Sequence, residues 1–192
     1  MTWPVTFLRR AFVGASVAWF GTLPLATFAS SQPSSSSAVY LFAFGTYLVG
    51  SLLCHQRPER SFFLWGSQMP VCARCTGIYF GAALSALIVT ARRLRAKGAS
   101  ASLAGARVSP ERAEAGRLQP SGRRSPEGVA LHFARMLLMV SVIPTAVTLG
   151  YEWTTGHTPA NWIRAAAGIP IGVVVAWIVL RLVRSAPRDE VN

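Results

Sequence analysis

The chain reads as an all-α, polytopic integral membrane protein, with four core transmembrane helices plus an N-terminal apolar helix. Three observations carry that reading. Of 192 residues, 52% are hydrophobic and 14% are charged, and the mean hydropathy is +0.38. Such a chain is too apolar for disorder and too poor in charge for an ordinary soluble domain. The apolar residues come in five uncharged blocks, each approaching the roughly 20 helical residues that cross a hydrocarbon core of about 30 Å. The basic residues lie between the blocks: 19 Lys and Arg against seven Asp and Glu, a formal charge of +12. Arginines that flank apolar blocks follow topology and anionic head groups, not the surface stripe that nucleic acid needs. The expected partners are therefore the lipid bilayer and, within it, a second copy or another membrane protein, with no nucleic acid. The expected location is the cell membrane, as a multi-pass protein.

The first block, Ala11 to Ala29, follows Arg9 and Arg10. Thr27-Phe28-Ala29 after Pro24 resembles a signal-peptide cleavage site. Cleavage there would invert every later span, so the block is read as an uncleaved span or an incompletely inserted helix. A Ser-rich connection, Ser30 to Ser37, is expected on the cytoplasmic side, and leads to the second block, Ala38 to Cys54. Residues 55 to 75 are expected to form an outward-facing hairpin loop. The third block is Thr76 to Ala91, extendable back to Val71. From Arg92 to Val129 the chain carries nine basic residues against three Glu, with Ala, Gly, Ser and Pro in place of large apolar residues. That composition predicts a disordered linker, and its charge places it in the cytoplasm. The last blocks are Met136 to Tyr151 and Ala165 to Leu180, with Arg135, Arg181 and Arg184 snorkelling from their ends. The organisation is thus a membrane half (1–91), a basic linker (92–129), a helical hairpin (130–185) and a tail (186–192). Five spans put the N-terminus outside, against the pull of Arg9 and Arg10; nine basic residues in the linker outweigh two.

All three cysteines fall within 22 positions, Cys54, Cys72 and Cys75, and His55 follows the first. A CxxC turn lets two thiolates converge on one ion, and a Cys-His pair brought across a loop completes a Cys₃His set suited to tetrahedral zinc. Cys54 ends one apolar block and Cys75 begins the next, so the intervening hairpin brings both ends to one membrane surface. Arg57, Arg60 and Arg74 in the same loop offset the negative charge of three thiolates on a divalent ion. The same residues also fit a Cys72 to Cys75 disulfide with Cys54 as a buried thiol. Both readings stand at this stage.

The runs Cys54-His55-Gln56-Arg57-Pro58-Glu59-Arg60-Ser61-Phe62 and Pro70-Val71-Cys72-Ala73-Arg74-Cys75-Thr76-Gly77-Ile78-Tyr79, with Gly81, resemble the signature of a family of small multi-pass prokaryotic membrane proteins known only as a domain of unknown function. The resemblance covers residues 50 to 85 closely and continues weakly in Asn161 to Gly172. It implies a membrane location and importance for the CHQ and CxRC residues, and it supplies no activity.

Gly77, Gly81 and Ser85 recur at every fourth position, and Gly168 and Gly172 flank Pro170. Small residues at this spacing allow close helix approach in lipid, and the two sets suit facing helices. His157 and Glu152 are read as belonging to the loop Tyr151 to Arg164, on the face of the cysteine loop, with His157 as a solvated residue or a stand-in ligand. Glu59 is placed to fix the tautomer of His55, and Trp65, Trp153 and Trp162 to anchor at the interface. Motifs of acyl transfer, nucleotide binding, zinc proteolysis and haem attachment are absent from the sequence. Three functions stay open: a metal site in a structural or metal-handling role; a thiol-disulfide oxidoreductase passing electrons from the CxxC pair to a quinone or partner; and a small transporter. Transport ranks last because Glu59 and Glu152 are assigned to loops, leaving no acidic group within a span.

Overall fold

The computed structural model describes residues 5–33, 36–105 and 126–185. All five apolar blocks are helical: α1 (Val5–Ser31), α2 (Ser37–Leu53), α3 (Ala73–Gly105), α4 (Pro126–Thr155) and α5 (Asn161–Ser185). Four contain stretches long and apolar enough to cross a membrane, Thr6–Ser31, Ala73–Ala96, Leu131–Thr155 and Asn161–Val183. The short one is α2, with 17 residues, whereas the sequence reading had set α1 apart.

The segment expected to be a hairpin loop contains two strands, β1 (Ser61–Leu64) and β2 (Ser67–Cys72), after a single 3₁₀ turn at Pro58–Arg60. Leu64 pairs with Ser67 and Phe63 with Gln68 in antiparallel register. The two residues between them, Trp65 and Gly66, have φ of 51° and 79°. Positive φ at both central positions makes a two-residue turn whose twist matches that of the strands. Glycine takes that conformation without penalty and tryptophan does not. Trp65 is held there while its ring meets Phe28 of α1 edge-on at 5.3 Å.

Contacts along the helices fix their directions. Descending α1 from Phe28 through Leu23 to Trp19, the partners are Trp65, then Met69 and Val71, then Tyr79, so α1 and α3 are antiparallel. Glu152 of α4 meets Arg164, Thr145 meets Ala167 and Phe133 meets Trp177; α4 and α5 are antiparallel as well. Residues near Gly77, Gly81 and Ala82 face Ala165, Ile169 and Gly172 in ascending order, so α3 and α5 run parallel. The second helix follows none of these partners. It lies on the C-terminal end of α1 and beside β2: Tyr47 reaches Ser30 and Gln68, and Cys54 meets Cys72.

This arrangement corrects the topology expected from the sequence. The connection after Ser30 lies at the hairpin end, not opposite it, and α2 stays at that end. The four long helices then bring Arg9 and Arg10, the basic C-terminal part of α3, the start of α4 and Arg181 together at the other end. The parity conflict disappears because a 17-residue apolar helix need not be a span. Arg181 lies over the ring of Trp177 at 4.2 Å, the placement of a cation snorkelling from the last turns. The linker boundaries also shift. Residues 92–105 continue α3 and residues 126–129 begin α4, since Ala, Arg and Leu favour helix and Pro is tolerated in a first turn. The expected disorder of the remaining linker, and the tail 186–192, fall outside the described residues.

The parallel pair α3 and α5 forms the most extensive helix contact. A methyl group at Gly77 would collide with the carbonyl oxygen of Ala165, at Gly81 with that of Ile169, at Gly168 with that of Arg74, and at Gly172 with that of Ile78. The two glycine sets read in the sequence therefore face each other, and their missing side chains let the backbones touch. In lipid, where burial of apolar surface gives no net drive between helices, such close packing is what holds a pair together.

Candidate functional site

At the hairpin end the three cysteine sulfurs lie within 4.8 Å of one another. Each is positioned by a different device. Cys54 follows the last turn of α2, its N–H donating to the Gly50 carbonyl at 2.9 Å. Two residues later Gln56 takes φ of 45°, reversing the chain, and its Nε2 donates to the carbonyls of Tyr47 at 2.9 Å and Pro70 at 2.6 Å. Gln68 returns a bond from Nε2 to the Gln56 carbonyl at 2.6 Å. This amide clasp ties the end of α2 to β2, and Gly50 has no side chain to obstruct the Pro70 carbonyl. Cys72 closes β2, its N–H directed at the Cys54 sulfur at 3.3 Å. Cys75 sits in the first turn of α3, where Thr76 Oγ1 donates to the Cys72 carbonyl at 3.1 Å. The glutamine of the CHQ run is thus the residue that brings the first cysteine to the other two.

All three cysteines are free. The thiol of Cys72 is pulled down to about 5. A hydrogen bond from the Cys75 side chain is the largest cause, opposed by burial and assisted by the Cys75 backbone, the Cys54 thiol and the Arg74 backbone. Four sulfurs around a tetrahedral zinc stand about 3.8 Å apart, given bonds of about 2.3 Å. A small contraction of this cluster reaches that spacing.

A cavity of about 500 Å³ opens beside the sulfurs, lined by Leu53, His55, Gln56 and four arginines, Arg57, Arg60, Arg74 and Arg164. His55 is exposed on this wall, and its ring nitrogens stay outside the sulfur cluster. His157 is exposed and bonds locally, Nδ1 lying 2.9 Å from the Thr155 carbonyl; it does not line the cavity. Glu59 faces Arg57 at 3.9 Å, so its partner is an arginine and not His55.

The largest correction concerns Glu152. The sequence places it in a loop, but α4 continues to Thr155 and is closed by Gly156, with φ of 70° and its N–H donating to the Glu152 carbonyl at 3.0 Å. Glu152 is buried, and three arginines converge on it: Arg164 at 2.5 Å, Arg74 at 3.4 Å and Arg60 at 3.5 Å. Arg74 also donates to Thr148 Oγ1 at 3.1 Å. An acidic group does lie within an apolar helix, which removes the stated reason for ranking transport last. Its signals were present in the sequence: a glycine four residues on, where helices commonly close, and a single acid facing Arg164 across a short connection. The arginine of CxRC thus belongs to this network, and Asn161 adds a bond from Nδ2 to the Ser61 carbonyl at 2.8 Å, latching α5 to the hairpin.

Residues 54–108 match the model of a family described as a predicted membrane protein, DUF2085. The signature read in the sequence lies within the matched residues. An uncharacterized protein of Methanocaldococcus jannaschii is 57% identical over 42 residues, 22% of this chain and 27% of that protein. An uncharacterized protein of Methanothermobacter thermautotrophicus is 60% identical over 30 residues, 16% of this chain and 27% of its own length. The chain thus aligns with little more than a quarter of each of these relatives. No solved structure matches. The DUF2085 match begins at Cys54 and takes in the CHQ run, the hairpin, the CxRC turn and the glycines of α3. Glu152, Arg164 and the glycines of α5 lie beyond it.

Proposed function

We propose that this membrane protein holds a thiophilic metal ion, zinc above all, at Cys54, Cys72 and Cys75, with His55 turning in from the cavity wall as the fourth ligand. The observation that carries the reading is the convergence of three thiols from two chain segments within 4.8 Å. The ion would join the end of α2 to the start of α3, stapling the hairpin between them, and its binding energy would become folding energy. In this reading the protein sits in the cell membrane with its basic end in the cytoplasm and the metal site facing outward. Purified full-length protein is expected to carry about one zinc per chain and three free thiols. Cys54→Ser, Cys72→Ser and Cys75→Ser should each lose most of the metal, and His55→Ala a smaller part. Metal-free protein with a Cys72 to Cys75 disulfide overturns the reading.

One observation favours a second function. Cys72 directly precedes α3 and Cys75 lies in its first turn, a helix N-terminal placement that favours a thiolate. As an oxidoreductase the pair would form the sulfur–sulfur bond while two electrons and two protons pass to a quinone-class acceptor. Reversible, stoichiometric formation of that disulfide, with no bound metal, identifies this alternative.

A further inference from the structure

The arginines of the cavity are more numerous than the metal reading requires. Among the described residues, Arg57, Arg60, Arg74 and Arg164 line it, and two carboxylates answer them, Glu59 for Arg57 and Glu152 for the other three. Four positive charges and two negative leave +2. The cysteines do not cancel this in either of their states. Three thiolates on a divalent ion contribute −1 and leave +1; as neutral thiols or a disulfide the cysteines contribute nothing and +2 remains.

Most of this surplus is withdrawn from solvent, with Arg60 on the partly exposed rim. Arg164 is 2% exposed, and its Nε and Nη1, together with Nε of Arg60 and of Arg74, are buried without a hydrogen-bond partner. Those N–H groups are closed off from water, and the charge stands unneutralised at the end of an apolar bundle, where an uncompensated ion is costly. Each guanidinium presents donors in a fixed fork that matches a pair of oxygens on a carboxylate or phosphate. Three forks around one space call for at least three acceptor oxygens, which a carboxylate lacks and a phosphate has.

We infer that the arginine-lined cavity beside the cysteine cluster is a binding site for a phosphate group, held by Arg60, Arg74 and Arg164. Inorganic phosphate and the head group of an anionic phospholipid share this chemistry, and the site stands at the end of the bundle, where either has access.

The test uses full-length protein in detergent and two probes. Titration calorimetry with inorganic phosphate, at ionic strength matched with chloride, reads the free ion; native mass spectrometry after addition of phosphatidylglycerol reads the lipid. Saturable binding of about one phosphate group per chain in either arm supports the site, and the arm that responds names the source. Arg60→Gln, at the partly exposed rim, should weaken that binding about tenfold or more, in the range for hydrogen bonds to charged groups. Should this variant fail to fold, wild-type protein gives an independent reading: the responding probe should raise its melting temperature, and chloride at equal ionic strength should not. Absence of saturable binding in both arms overturns the proposal, as does equal affinity in a folded Arg60→Gln protein. Metal content measured on the same samples separates the two readings, since phosphate bound to metal-free protein supports this site while refuting the metal centre.

Discussion

The seam between α3 and α5 and the cavity at its upper end are made of opposite materials. Along the seam Gly77, Gly81, Gly168 and Gly172 contribute no side chains, and backbone lies on backbone. Three cysteines and four arginines line the cavity, three of those arginines reach Glu152 behind it, and several guanidinium nitrogens have no partner. The seam is complete in itself and indifferent to salt, pH or metal. The cavity is incomplete as protein alone, so its stability depends on what it binds. Both lie on the same two helices, one turn apart: Arg74 precedes Gly77, and Arg164 precedes Gly168. The rigid contact holds the unsaturated one in shape, as a binding site of fixed geometry requires.

The largest break in this contrast should come from Glu152→Ala, which leaves three guanidiniums without a carboxylate. Loss of one partner from a buried pair costs about 3–5 kcal/mol. Equilibrium denaturation in detergent should show a loss of that order, and the phosphate-class probe should restore part of it. A variant as stable as wild type, with or without the probe, would mean that the arginines reach water and are not the unsaturated cluster described.

A smaller effect is expected at the seam. Gly172→Ala brings a methyl group against the Ile78 carbonyl, and overpacking of this kind costs typically 1–3 kcal/mol, outweighing the roughly 1 kcal/mol gained by replacing glycine within a helix. The same substitution at Gly45 of α2, where a Cβ meets nothing within 4 Å, should be neutral or stabilising. The loss at Gly172 should not change with phosphate or metal, which sharpens the difference between the two regions. Thermal unfolding of both variants checks it.

The last effect is one of pH, and its readout is reactivity. The Cys72 thiol is lowered to about 5, first by the hydrogen bond from Cys75, against an ordinary value of about 8.5. A group depressed on folding contributes stability that is full above its unfolded value and is lost as pH falls through the folded one, here between about 8.5 and 5. In chelator-treated protein, alkylation at Cys72 should therefore persist at pH 6 and decline near pH 5. Cys75→Ala removes the hydrogen bond to Cys72 and should move that midpoint upward. Unchanged reactivity would detach Cys72 from its neighbour.

The helices were legible because a run without charge is a strong and redundant signal. The glycine sets were legible because their fourfold spacing survives in either helix alone. Other features depended on single residues. The boundary of α4 was drawn at Tyr151, one position short of Glu152, and that single step turned a buried acid into a loop residue. The hairpin rests on Trp65 taking a conformation that tryptophan disfavours, so turn chemistry did not announce it. The placement of α2 was hidden because 17 apolar residues suit a short span and a helix held at one end equally well. What settled it was the Gln56 clasp, a set of bonds between residues 47, 56, 68 and 70 that no local pattern contains. The cysteines were found from their spacing alone, whereas the position of His55 depends on how the chain turns at Gln56.

The pairing of α3 with α5 also bears on how the chain is made. The ribosome delivers α1 to α3 well before the glycines of α5 emerge, so the Gly77 face of α3 is made before the backbone it packs against. The first 105 residues are therefore not a finished piece that the rest is added to, but one side of an interlock. Two separately synthesised fragments, divided between residues 106 and 125, would have to find one another through that face, and the connecting chain serves to keep the second side at high local concentration while the first waits.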